Sequence, residues 1–147
     1  MNREENMERW QLLLLFLGFD EAVNRLIDPV RIMKAMFLLE KRGGLTGHSY
    51  RFEPYDYGPF SILVYRDLEL LEAKGLIERI PSPRRNWSYV RLTAEGRSLV
   101  KELKEEVTPE QLELISEVYN EVWGKGFAEL LRYIYKEYPE YAVKSVF

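Results

Sequence analysis

Cysteine is absent from this sequence, and histidine occurs once, at His48. The first absence removes disulfides, thiolate zinc sites and cysteine nucleophiles. The second argues against a multi-histidine metal site or a serine–histidine triad within one chain. Long apolar runs are missing too. The run 12–17 falls far short of the ~20 residues a membrane span needs. Glu4, Glu5 and Glu8 ahead of it are unlike the basic start of a secretion signal. No phosphate-loop glycine pattern, GxSxG elbow or HExxH motif is present. These absences point away from an enzyme, a bound cofactor and a membrane protein, and toward a cytoplasmic one. A surplus of basic residues is lacking as well: the formal net charge is −3. The molecule as a whole therefore does not attract nucleic acid, and any such binding needs a local basic patch.

What is present suffices for one domain, residues 1–147. With 46% hydrophobic residues in 147 the chain can bury a core without staples. The most informative stretch is 61–97, SILVYRDLELLEAKGLIERIPSPRRNWSYVRLTAEGR. Val64, Leu68 and Leu71 recur at helical spacing, with Tyr65 beside them. Gly75 follows as a left-handed helix stop. Residues 76–80 read as a strand, Pro81, Pro83 and Asn86 as a turn, and 87–92 as the returning strand. Thr93 caps the next helix, with Glu95 in its first turn.

The run YRDLELLEAKGLIER, a basic turn, then YVRLTAEGRSLV resembles the winged helix-turn-helix domains of bacterial and archaeal regulators. The likeness covers about a quarter of the chain. It implies an α+β, mainly helical fold: a winged helix-turn-helix core at 28–106 with a β-hairpin wing and additional N- and C-terminal helices at 8–27 and 108–138. Residues 61–74 match the recognition helix, 76–92 the wing, and 93 onward the helix after it. A narrower likeness rests on FEPYDYGPFS, YRDLELLEAKGLI and YIYKEYPEYAVKS. These resemble the uncharacterised prokaryotic YwgA-like family, and distantly the Panacea antitoxin domain of toxin–antitoxin systems, an interaction module.

Taken in order, residues 10–17 read as a buried helix ended by Gly18, and Asp20 as the cap of a short helix through Leu26. Asp28-Pro29 starts a central helix carrying Val30, Met33, Met36 and Phe37, stopped by Gly43-Gly44. The stretch LTGHSYRFEPYDYGPF departs from a helix-turn-helix. Tyr50 and Phe52 alternate with Arg51 and Glu53, which favours an extended segment, and an aromatic loop takes the place of the second helix. Pro59 suits the first turn of the helix that follows, and Asp56 its cap. Thr108 and Gln111 stand at capping-box spacing before a helix with Leu112, Ile115 and Val122 inward. Phe127, Leu130, Leu131, Ile134 and Tyr138 make the last helix, closed by Pro139. The terminal helices pack with 10–17 as one body or form a dimer seam.

Two function classes compete. For a DNA-binding transcription regulator, the wing supplies Arg79, Arg84, Arg85 and Arg91 against Glu78, with Asn86 and Trp87 at the tip. Paired arginines there can hold the phosphate backbone of double-stranded DNA; the plainer alternative is a solvated turn. Ser61, Tyr65 and Arg66 are the recognition-helix candidates, although Asp67, Glu69 and Glu72 make that helix acidic. Alternatively Tyr65 is core and Arg66 pairs with an acid. A homodimer is expected, since one acidic helix binds weakly alone. The competing class is a protein-interaction module using the aromatic loop 50–60, with Tyr50, Tyr55 and Tyr57 meeting a protein partner. The same loop can instead be a hydrophobic plug, with Phe52 and Phe60 inside. Glu53 and Asp56, with Arg51 beside them, supply too few convergent oxygens for a metal site, and His48 reads as a polar loop residue.

Overall fold

The computed structural model describes residues 7–43 and 50–147; His48 and Gly44 lie outside them. Helix α1 (Arg9–Leu17) opens with a reciprocal cap, in which the Glu8 amide donates to Gln11 Oε1 at 2.7 Å. It is apolar all round, and Leu12 to Leu17 are all buried, so it runs through the interior rather than over the surface. Gly18 ends it at a crowded point, where a Cβ would fall 2.5 Å from Leu92 Cδ2.

The helix expected at 20–26 does not form. Asp20 Oδ1 instead accepts from the Ala22 amide at 3.0 Å, closing a turn. Val23 and Leu26 are exposed, so this segment has no apolar face to bury. It runs extended to Ile27, which exchanges two 2.8 Å backbone hydrogen bonds with Val90.

Helix α2 (Pro29–Lys41) is central. Asp28 Oδ1 caps it by accepting from the Arg31 amide, and Pro29 occupies the position where no donor is needed. Ile32 through Leu39 are all buried. Arg31 Nε pairs with Asp28 Oδ2 at 3.3 Å, and its Nη1 closes another helix by donating to the Val122 and Lys125 carbonyls at 2.6 and 2.8 Å.

Where an aromatic loop was expected there is a short hairpin, β1 (Glu53–Tyr55) and β2 (Gly58–Phe60). Pro54 and Pro59 face each other in its register, where the ladder asks for no donor. Asp56 and Tyr57 form the turn. Pro59 is therefore in a strand and Asp56 in a hairpin turn, and neither starts the following helix. Helix α3 (Ile62–Ala73) takes Ser61 as its N-cap residue and ends on Gly75 at φ 75°, with the Leu76 amide donating to the Leu71 carbonyl.

Strands β3 (Ile77–Pro81) and β4 (Ser88–Leu92) form a second antiparallel hairpin, pairing Ile77 with Leu92 and Pro81 with Ser88. Helices α4 (Ala94–Glu106), α5 (Pro109–Gly124) and α6 (Phe127–Glu137) follow, then a single 3-10 turn at Pro139–Tyr141. Helix α5 packs on α2, and α4 and α3 both pack on α1. Phe37 binds the far end of the chain, its ring edge-to-face with Phe52, Tyr138 and Tyr141 at 4.7–5.4 Å. The fold is α+β and mainly helical. Among the described residues no helix is long and apolar enough to cross a membrane.

Candidate nucleic-acid interface

The second hairpin is anchored at its base and free at its tip. Ile77, Val90 and Leu92 are buried on its inner face. The run LTAEGR at 92–97 locks the base. The Thr93 hydroxyl donates to the Gly75 carbonyl at 2.7 Å and accepts from the Gly96 amide at 3.0 Å. One side chain thus joins the stop of α3 to the start of α4. Gly96 lies so close to the chain that a Cβ would sit 2.0 Å from the Leu76 carbonyl oxygen.

Charge along the hairpin sorts into paired and unpaired groups. Arg91 Nε and Nη2 both donate to Glu78 Oε1, at 2.8 and 2.6 Å, across the strand register. Arg79 faces Glu72 of α3 at 3.6 Å. These two arginines, expected on the phosphate backbone, are thus engaged within the fold. Arg84 and Arg85 lie exposed in the connecting turn with Asn86, and among the described residues no carboxylate forms an ion pair with either arginine. Trp87 is half-buried, its ring edge-to-face with Tyr89 at 4.9 Å. It stiffens the hairpin below the tip.

Helix α3 presents Ile62, Arg66, Glu69, Leu70 and Ala73 to solvent, one face at helical spacing. Its inward side corrects two candidates. Ser61 is buried, and its hydroxyl donates to the Tyr50 carbonyl. It ties Tyr50, ahead of the first hairpin, to the start of α3 and is not placed for a base contact. Tyr65 is half-buried beside Phe60, with ring centroids 5.6 Å apart, and burial pushes its hydroxyl pKa up. Arg66 remains exposed.

The acidity expected of α3 is partly internal. Asp67 is buried and accepts from Arg9 Nε at 3.0 Å and from the Tyr50 hydroxyl at 2.7 Å. Arg9 also stacks 5.0 Å from the centre of the Tyr50 ring. Tyr50 has no exposed surface, so it is no partner-binding residue; burial first, then the Asp67 charge, hold its hydroxyl protonated well above the ordinary tyrosine range. This cluster fixes α3 against α1, and with Glu72 facing Arg79 it leaves Glu69 as the free acid of the outward face.

Tyr55 and Tyr57, the other two candidates of this loop, are 51% and 48% exposed. Tyr57 meets Phe127 at 6.0 Å, Phe127 meets Phe147 at 6.3 Å, and the Val146 amide donates to the Asp56 carbonyl. Phe52 and Phe60 pack against the core.

One group escaped the sequence reading. Lys34, in the middle of α2, is 4% exposed. Its signal was the single charge inside IMKAMFLL. Desolvation lowers its pKa to about 8, against the opposing pull of Asp28. Among the described residues no cluster of three or more metal-ligating side chains occurs. No protein-family model matches the chain, and no curated protein is significantly similar to it.

Proposed function

We propose that this chain is a winged-helix DNA-binding protein that regulates transcription. The hairpin at 77–92 is its wing, and Arg84 and Arg85 grip the phosphate backbone of double-stranded DNA. The outward face of α3 enters the major groove, with Arg66 the side chain best placed to reach a base edge and Ile62 offering an apolar contact. The observation that carries this reading is the sorting of the wing arginines. Arg79 and Arg91 sit beside carboxylates, whereas the two at the tip stand together without one. A solvated turn needs polar residues but not adjacent unpaired cations. The winged-helix likeness of 61–97 supports the same placement of helix, hairpin and following helix. A homodimer gives this single modest basic tip a second contact on the duplex.

The test is fluorescence anisotropy with a mixed-sequence duplex across a salt series. Binding should weaken steeply with salt, and Arg84→Ala/Arg85→Ala should lower the log–log slope by about 2. Arg91→Ala should change it by less than half as much. No binding at low salt, or a slope indifferent to the double substitution, sinks the proposal.

A second reading is an antitoxin-like protein-interaction module. What favours it is the contiguous exposed apolar group of Tyr55, Tyr57, Phe127, Val146 and Phe147. On that reading Tyr57→Ala abolishes capture of a partner while Arg84→Ala/Arg85→Ala does not.

A further inference from the structure

A cavity of about 260 Å³ lies between α2 and the first hairpin. Its walls are Tyr55, Tyr57, Phe60 and Tyr65, with Met33 and Lys34 below. Gly58, at φ 89°, brings the hairpin down onto Lys34: a Cβ there would lie 3.6 Å from Lys34 Cε and 3.0 Å from Leu131 Cδ1. The Lys34 ammonium makes one long hydrogen bond, 3.5 Å to the Pro59 carbonyl, and no ion pair within 4.0 Å among the described residues. Three donor positions of a buried cation are thus served by one weak acceptor. Burial of a charge in this state is unfavourable, and an anion from outside relieves it.

We propose that this cavity binds a small aryl carboxylate, its carboxylate on Lys34 Nζ and its ring between the tyrosines and Phe60. The size lies just below the roughly 300–1,000 Å³ of pockets for drug-sized ligands, which limits the occupant to one or two rings. The wall is made of aromatic rings tilted to one another, Tyr55 on Phe60 and Phe60 on Tyr65, and such faces and edges favour an aromatic body over a sugar. Asp28, the N-cap of α2, is paired with Arg31 at 3.3 Å and is not part of the lining, so the one cation in the cavity wall faces one carboxylate there, Asp56 of the hairpin turn. That balance admits a single negative charge and disfavours a dianion such as phosphate. Tyr55 and Tyr57, half exposed at the rim, give the entrance. The inference is independent of DNA binding.

The experiment is isothermal titration calorimetry at pH 7 with 2-naphthoate and its neutral isostere 2-naphthamide on the full chain. Naphthoate should bind saturably and at least about tenfold more tightly than naphthamide. Lys34→Met should remove that preference, and Tyr57→Ala should weaken both probes. Equal affinity of the two probes for the unmodified protein overturns the proposal without reliance on any variant. So does an absence of saturable naphthoate binding at millimolar concentration, or an unchanged preference in folded Lys34→Met.

Discussion

Lys34→Met should make the protein more stable at neutral pH. The two side chains are of similar length, and methionine fills the same space without a charge. The magnitude follows from the pKa. An exposed lysine titrates at 10.5, and burial lowers Lys34 to about 8. At 1.36 kcal/mol per pKa interval, the charged form is disfavoured in the fold by about 3 kcal/mol. The sign follows from proton counting. Below pH 8 both folded and unfolded chains carry the proton, and the whole cost is present. Between 8 and 10.5 the folded chain has released it while the unfolded chain keeps it, so unfolding becomes harder as pH rises. The advantage of the variant should therefore be about 3 kcal/mol at pH 6.5 and shrink to about 1 kcal/mol at pH 9.5. Urea unfolding of both proteins at several pH values between those limits measures it. A variant less stable at pH 6.5, or an advantage that does not change with pH, would refute the account of Lys34 as a desolvated, unpaired cation. Retaining a charge at such a cost is what a ligand site requires.

Two further outcomes test the framework that holds the candidate interface. Gly96→Ala places a Cβ 2.0 Å from the Leu76 carbonyl oxygen and should cost about 3 kcal/mol or more in thermal or urea unfolding. Gly124→Ala, with open space at its Cβ, should cost nothing; equal losses at both sites would remove the close approach from the explanation. Tyr50→Phe deletes the hydroxyl that donates to buried Asp67 and should lower stability by about 1–2 kcal/mol. An unchanged urea midpoint would mean that Arg9 alone satisfies that carboxylate.

The hairpin at 77–92 was legible because its signals are local. Gly75, Thr93 and Gly96 act on residues close to them along the chain or across one hairpin, and each residue type admits few alternatives at its position. The first hairpin was half legible. The alternation at 50–53 indicated extended chain, but Asp56 and Pro59 are helix-start residues as readily as hairpin residues, and only the strand register decides between them. Asp20 misled for the same reason, since one aspartate oxygen caps a turn as well as a helix. The turn residues located the arginines but not their partners.

The residues alone thus determined where most of the helices start and stop, because caps, prolines and glycines act through the backbone of their own segment. They also determined that a basic tip joins 81 to 88. Tertiary structure decided which side chains remain available. Asp67 meets Arg9 from 58 positions away, and that contact takes Tyr50 and Asp67 out of solvent and relieves α3 of part of its negative charge. It also decided that Lys34 lies beneath an aromatic hairpin. No periodicity encodes that placement, because it depends on how two distant segments close over one another.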